Sequence, residues 1–527
     1  MRVYLETFGC QMNELDSELV RGQLTALGYR FVEDDREAQV ILYNTCSVRE
    51  LAEQKALSRV GLVGQRKQSG ERLILGVLGC MAERDGAALF RRHPQVDLLC
   101  GPAELDKLPQ LIENARRTEG GGGSPRVMAL AGDSSRRSAT LSAATDGLES
   151  LDLSRAFDPT AREQPWSAYV RITRGCNKFC TYCVVPYTRG AEVHRPPGHV
   201  VDECKRLADS GAMEITLLGQ TVNHYRYSHG AALTVDGREA PQVGPGLRAF
   251  RHASDVTGRT TTFADLLHRI HEEVPALKRL RFVTSYPRDF GRDVLDVMRA
   301  CPRICRYLHA PAQSGSDSVL ARMNRGYTVA EYEEFVGRTL DALPDATLAG
   351  DLIVGFPGET DADFEATCDL VRRLPFKNNF IFKYSPRPGT TAIDRFPDDV
   401  PDEVKRWRNN ALLSIQSETS ARVHARWIGR RVEVLFHAIR SRAVSRAPSA
   451  PGGAVGLTVR GSSVTDGRES PEPRAVVQAV GRTAGDLIVA VEAPTPGAAA
   501  GLPTPGTMRE VEVVASQALL LTANDAP

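Results

Sequence analysis

Three short apolar runs rich in β-branched residues each end at a cysteine and pass into a helical pattern: RVYLETFGCQMN, VILYNTCSVRE and RLILGVLGCMAER. Strand patterns that alternate with helical patterns fold as β-α-β units, whose strands lie parallel in one sheet. The C-terminal ends of such strands share one edge, and open α/β folds bind ligands there. Cys10, Cys46 and Cys80, 36 and 34 residues apart, are therefore expected to meet in space. Three thiolates at one place suit an iron–sulfur cluster with one iron left without a protein ligand. The plainer reading is three buried cysteines, since free cysteine commonly serves as a small core hydrophobe.

A second set follows at 174–190, RGCNKFCTYCVVPYTRG, where Cys176, Cys180 and Cys183 stand in C-x-x-x-C-x-x-C spacing. Three thiolates that close hold three irons of a [4Fe–4S] cube. The fourth iron can bind the amino and carboxylate groups of S-adenosylmethionine (SAM) and pass it an electron. Cleaving SAM in that way yields a carbon radical, which attacks C–H bonds that acid–base chemistry cannot touch. Structural zinc, the bland alternative, favours paired C-x-x-C units and four ligands. Cys301 and Cys305 have the first spacing without a third cysteine, and with Cys100, Cys204 and Cys368 they read as core. The eleven histidines show no ligand spacing.

The chain of 527 residues divides where its composition changes. Residues 1–117 carry the first α/β pattern, and 118–164, with EGGGGS and SSRRSATLSAATDG, read as a mobile Gly/Ser-rich linker. Over 165–423, six strand-like runs (SAYVRIT, EITLLG, LRFVTS, RYLHA, ATLAGDLIVG and NFIFKYS) alternate with helical patterns, which suggests an open (β/α)6 barrel. Residues 226–262 interrupt it as an expected surface insertion. Residues 424–527 hold short alternating strands that suggest a small all-β barrel, with a Pro/Ser/Gly-rich loop at 443–473. Arg426, Arg430, Arg431, Arg440, Arg442, Arg460, Arg474 and Arg482 weight this module toward phosphate binding, against the alternative of a solvated charged face.

Eleven cysteines in a long chain with no signal-peptide pattern do not read as a secreted disulfide framework, and no apolar run reaches the length of a membrane span. A cytoplasmic enzyme is expected. With 66 basic against 65 acidic residues, a polyanion would have to be met by local basic patches.

Taken together the chain resembles the radical-SAM methylthiotransferases, over nearly all its length apart from the linker and insertions. GCQMNELDSE at 9–18 resembles the run of the tRNA-modifying branch, whereas the branch acting on a ribosomal protein has a lysine where Met12 stands. CVVPYTRG at 183–190, LLGQTVN at 217–223, PAQSGSDSVLARMNRGYT at 311–328 and DLIVGFPGET at 351–360 are similar to further family blocks, and GRTAGDLIVAVEA at 481–493 resembles the end strands of a TRAM domain. Departures fall at Thr221, Tyr286 and Ala191 and leave every cysteine in place.

The resemblance implies an α/β chain in three parts: an N-terminal parallel α/β methylthiotransferase domain, a radical-SAM barrel and a TRAM-like RNA-binding barrel. It implies two [4Fe–4S] clusters and SAM as methyl donor and radical source, with Cys176, Cys180 and Cys183 generating the radical and Cys10, Cys46 and Cys80 serving sulfur delivery. Gln220, Asn223, Gly355 and Glu359 are candidate SAM contacts on loops after strands. The implied reaction is methylthiolation of C2 of N6-(dimethylallyl)adenosine beside the anticodon of tRNA. A monomer is expected, with a reductase or flavodoxin-like electron donor and a sulfur donor. The alternatives are a methylthiotransferase for threonylcarbamoyladenosine tRNA or a ribosomal-protein aspartate, and a non-catalytic iron–sulfur RNA-binding protein.

Overall fold

The computed structural model describes residues 1–47, 50–119, 126–132, 147–155, 162, 164–235, 237–244, 260–444, 474–493 and 501–525. The chain is mixed α/β and divides into two compact units, 1–419 and 420–527. In the first unit β1 (Arg2–Phe8), β2 (Arg30–Phe31), β3 (Val40–Thr45), β4 (Ile74–Gly79), β5 (Leu98–Cys100) and β6 (Val127–Ala129) form one sheet in the order β2-β1-β3-β4-β5-β6. Every pairing in it is parallel. β3 and β4 are buried at all positions, which accounts for their unbroken apolar runs. Helices α1 (Gln11–Ala26), α2 (Glu50–Gln68) and α3 (Cys80–Asp85) leave from the C-terminal edge of β1, β3 and β4. Met12, Leu15, Leu19 and Leu24 recur at helical spacing on α1 and bury one stripe of it. Each fully buried leucine of that stripe contributes about 1.5–3 kcal/mol.

The six strand-like runs of the central region are all strands: β7 (Ser167–Arg171), β8 (Glu214–Leu218), β9 (Arg279–Val283), β10 (Tyr307–His309), β11 (Thr347–Val354) and β12 (Phe376–Lys383). They make two parallel arcs, β7-β8-β9 and β10-β11-β12, joined by a parallel bridge between Leu280 and Ile304. The order follows the chain, as an open (β/α)6 barrel requires. Helices Phe263–Glu273, Val329–Ala342 and Asp361–Arg373 each begin at a threonine, Thr262, Thr328 or Thr360, that forms a reciprocal capping box with an acidic residue three positions on.

Two stretches expected in a mobile linker are built into this unit. β6 is the sixth strand of the N-terminal sheet, and α4 (Gly147–Leu153) buries Leu148 and Leu151 in its core. The polar positions of α4 face inward as well. Asp152 accepts from Arg171 at 2.7 Å, and Glu149 accepts from Arg195 at 2.8 Å. Arg195 also holds Glu203 at 2.7 Å, and Arg155 links Glu203 at 2.9 Å to Glu18 of α1. Gly/Ser-rich flanks hide this seven-residue amphipathic helix from a compositional reading. The insertion at 226–262 is likewise partly tied in. Tyr227 is fully buried with its hydroxyl donating to the Ala240 carbonyl at 2.8 Å, and Gln242 bonds both backbone groups of Ser228. Residues 245–259 lie outside the described residues.

In the second unit β13 (Arg431–Val444), β14 (Arg474–Thr483), β15 (Ile488–Glu492), β16 (Met508–Ser516) and β17 (Leu521–Asp525) close into a barrel in the order β13-β14-β15-β17-β16. Val434, Phe436, Val489, Val511 and Leu521 fill it. Arg426, Arg430, Arg431 and Arg440 are exposed, Arg430 lies over Trp427, and Arg482 pairs with Asp486 at 2.6 Å. Arg442 and Arg474 lie in strands, while Arg460 and most of the 443–473 loop fall outside the described residues. Among the described residues no helix is long and apolar enough to cross a membrane.

Removing one partner of a buried ion pair leaves an uncompensated charge, at a cost of about 3–5 kcal/mol. Asp152→Ala should therefore destabilise the chain by about 3–5 kcal/mol in denaturant unfolding, and a change under ~0.5 kcal/mol would show that α4 is the loose linker first expected.

Candidate active site

The N-terminal cysteines sit where adjacent strands hand over to helices. Cys10 is the N-cap of α1 after β1, Cys46 follows β3, and Cys80 opens α3 after β4. Asn13, fully buried, ties the three handovers together. Its Nδ2 donates to Asn44 Oδ1 at 3.0 Å and to the carbonyl of Thr45, beside Cys46, at 3.2 Å. Its Oδ1 accepts from Cys10 Sγ at 3.3 Å. Gly79, beside Cys80, has a φ of +88°, and a Cβ there would lie 2.5 Å from Asn44 Oδ1 and from the Thr45 carbonyl. Only glycine lets the third strand end come that close. A Cβ on Gly9 would meet the Cys46 side chain at 2.9 Å, so the first two cysteines adjoin.

Charge at this edge favours the thiolate of Cys10. A hydrogen bond from Cys46 lowers the Cys10 thiol to about 5, with help from the Arg189 guanidinium and the N–H groups at the start of α1, against the opposing effect of burial. Burial pushes the Cys80 thiol up, and Arg189 and the Thr188 hydroxyl oppose it.

The other triad lies on a loop closed on itself. Cys176 N donates to the Gly190 carbonyl at 3.1 Å, and Gly175, at φ +68°, leaves no room for a Cβ, which would fall 2.0 Å from the Ala191 carbonyl. The loop is anchored by Thr181, whose N–H and hydroxyl reach the carbonyls of Met323 and Arg322 at 3.0 and 2.9 Å. Buried Arg325 donates to Cys180 Sγ at 3.3 Å and lies 4.8 Å from the Tyr286 ring centroid. Lys178 donates to Asp289 at 2.5 Å, and Asp289 also takes His224 at 2.7 Å. Burial, with Glu192 and Cys180 beside it, pushes the Cys176 thiol up to about 12. Burial and the two neighbouring cysteines push Cys183 up as well.

Cys176 and Cys183, whose thiols resist ionising, stand with Cys180 beside a buried guanidinium and fit a polycationic iron core. Such a core reverses the local preference for the protonated form, while the guanidinium offsets the anionic ligands. Among the described residues no three His, Cys, Asp or Glu side chains close on a point as for a single metal ion. Thiols at the corners of a cube lie roughly 6–7 Å apart instead.

Between the triads lies a cavity of about 680 Å³. Cys183 lines it from one side, and Gly9 and Ser47, the neighbours of Cys10 and Cys46, line it from the other. Leu51, Ile353, Ile381 and Phe382 give it an apolar wall, and Lys55, Lys383 and Arg387 stand among its polar residues.

The expected SAM contacts fare unevenly. Gln220 is half-buried after β8. Asn223 commits both ends of its amide to the backbone of Tyr286, at 3.0 and 2.8 Å. Gly355, at φ +71°, donates to Glu359 Oε2 at 2.6 Å, which also takes Arg408 at 2.7 Å, so this pair closes its own turn. Cys301 and Cys305 are buried, as are Cys100, Cys204 and Cys368.

Sequence reasoning passed over Gln313, Arg325 and Arg189. Gln313 lines the cavity in the left-handed region at φ +72°, and its buried Oε1 has no hydrogen-bond partner. A strained, unsatisfied polar residue in a cavity is one that a ligand would complete. Its signal was present in the QSGS run, but only the backbone reveals the strain.

Comparison with known proteins places these features in a family. Residues 2–101 match the family described as Uncharacterized protein family UPF0004, and residues 170–371 match the Radical SAM superfamily. A tRNA-2-methylthio-N(6)-dimethylallyladenosine synthase of Rhodopirellula baltica is 44% identical over 449 residues, 85% of this chain and 86% of that protein. One from Burkholderia thailandensis is 40% identical over 435 residues, 82% of this chain and 85% of that protein. Among solved structures, the radical S-adenosylmethionine methyltransferase TsrM of Kitasatospora setae aligns with a TM-score of 0.47 at 14% identity, covering 74% of this chain and 73% of that one.

Two separate cluster sites are expected to divide the reaction. Reconstituted protein should hold about eight irons per chain, and Cys46→Ala or Cys180→Ala about four. Cys180→Ala should abolish 5′-deoxyadenosine formation, while Cys46→Ala should keep it and lose methylthiolated product. A wild-type iron content that stays near four, or methylthiolation by Cys46→Ala protein, would contradict the division.

Proposed function

Because the chain belongs to the tRNA-2-methylthio-N(6)-dimethylallyladenosine synthase family of radical-SAM enzymes, we propose that it methylthiolates C2 of N6-(dimethylallyl)adenosine beside the anticodon of tRNA. The observation that carries this reading is the cavity shared by Cys183 and by the neighbours of Cys10 and Cys46. A base seated there is within reach of both cysteine triads at once. When bound, the two [4Fe–4S] clusters and SAM supply the carbon radical, the sulfur and the methyl group.

The chain's own residues then bind, orient and exclude water. Cys176, Cys180 and Cys183 hold one cluster, and Cys10, Cys46 and Cys80 the other. Arg325 neutralises the first set from beneath Cys180. Gln313 offers its unpaired amide oxygen to an N–H or O–H donor of a ligand. Leu51, Ile353, Ile381 and Phe382 fit an apolar substituent on the base and keep water from it. Lys55, Lys383 and Arg387 suit the phosphates flanking a base splayed out of a single-stranded loop. Of the expected SAM contacts, Gln220 remains available for direct contact, while Asn223, Gly355 and Glu359 fix the loops around it.

The exposed arginines of the C-terminal barrel serve as a TRAM-like, sequence-tolerant grip on tRNA phosphate. The setting is the cytoplasm and the protein acts as a monomer, with a flavodoxin-like reductant and a separate sulfur donor.

Mass spectrometry of tRNA nucleosides and ribosomal proteins from cells with and without the chain tests this function. Loss of the 2-methylthio group from dimethylallyladenosine alone is the expected result. Loss from threonylcarbamoyladenosine or from a ribosomal-protein aspartate would reassign the substrate, and no loss anywhere would leave a non-catalytic protein. For the tail, a chain ending at residue 423 should bind tRNA more weakly than the full chain and with a shallower log–log salt slope. Equal affinities and slopes would return its arginines to a solvated face.

A further inference from the structure

The loop that carries Cys176, Cys180 and Cys183 does not serve that triad alone. Two residues after Cys183 it forms the short helix α5 (Val185–Thr188), which packs on α3, the helix headed by Cys80. The next residue, Arg189, is buried and donates from Nη2 to Asp16 Oδ2 at 2.8 Å. Asp16 stands on α1, six residues past Cys10, and its other oxygen lies 3.6 Å from Arg171 Nη1. The loop is then sealed at its base, where Cys176 N meets the Gly190 carbonyl. One closed loop therefore carries three thiols and, at its far end, a buried cation tied to α1 beside a helix packed on α3.

We infer that Arg189 is a positioning residue for the Cys10/Cys46/Cys80 site, although the loop of the opposite triad carries it. The inference rests on the two-cluster reading above. Asp16 holds the guanidinium in place, and Arg171 shares the carboxylate, so Arg189 keeps part of its charge for the thiolates. It is bonded to α1, which Cys10 caps, and adjoins α5, which packs on α3, the helix Cys80 heads. A fixed positive charge near an anionic cluster stabilises the reduced form and raises the reduction potential. Because the same loop fixes Cys183, any shift of the first site also shifts the charge facing the second.

The test isolates each cluster. In a Cys180→Ala background, which keeps only the second cluster, Arg189→Gln should lower the midpoint potential of that cluster and alter its electron paramagnetic resonance spectrum, and Arg189→Lys should restore part of the shift. In a Cys46→Ala background, which keeps only the first cluster, Arg189→Gln should leave potential and spectrum unchanged. In the otherwise wild-type chain, Arg189→Gln should reduce methylthiolated tRNA about tenfold or more. Loss of iron from Cys180→Ala/Arg189→Gln protein alone also supports the inference. An unchanged potential in the Cys180→Ala background overturns it, as does an equal shift, or equal loss of iron, in both backgrounds. A wild-type iron content near four would instead sink the two-cluster reading itself, which separates the two failures.

Discussion

One carboxylate joins the two halves of the chemistry. Asp16 is 1% exposed and sits between Arg189, of the radical-SAM cysteine loop, and Arg171, at the end of the first barrel strand. Around it Arg195, Arg155, Glu149, Asp152, Glu203 and Glu18 extend the pairing from the N-terminal sheet across α4 into the barrel. Buried charges cost several kcal/mol each to desolvate, so a lattice of this kind is poor material for stability alone. It accepts only one arrangement, since a displaced member leaves its partners buried and unpaired. That geometric demand holds the loop of Cys183 and the strand ends beside Cys10 and Cys46, far apart in sequence, on one cavity.

The cavity makes that demand chemically useful. Radical abstraction and sulfur delivery must reach the same carbon, so the two sources must face one base at fixed separation. A buried arginine stands by each triad's scaffold: Arg325 donates to Cys180, and Arg189 to Asp16 of α1, the helix that Cys10 caps. Each is also framed by a glycine that permits a close backbone approach, Gly175 and Gly79. The two sites reach the same solution from unrelated local structure: a closed loop in one case and three strand ends in the other.

Much of this was legible in the sequence, and the limits follow from what sequence patterns encode. Cysteines at the ends of three apolar runs implied a shared sheet edge, because parallel strands leave no other geometry. Spacing within eight residues announced the second triad directly. The six barrel strands and their capped helices followed from local periodicity. Pairings across long separations were not legible: Arg189 with Asp16, 173 residues away, or Arg325 with Cys180, 145 away. Helix α4 was hidden because seven residues carry little periodicity inside a Gly/Ser-rich stretch. Polar loop residues were read as ligand contacts by default. Asn223 and Glu359 instead satisfy backbone and arginine groups that burial would have left unpaired, and Gln313 keeps the unpaired amide.

Anomalous scattering at the iron edge from crystals of anaerobically reconstituted protein tests the central claim most directly. The account predicts two separate four-iron peaks, one against Cys176, Cys180 and Cys183 and one against Cys10, Cys46 and Cys80, both opening onto the cavity lined by Gly9, Ser47 and Cys183. A single peak, or two peaks that do not share that cavity, would contradict it.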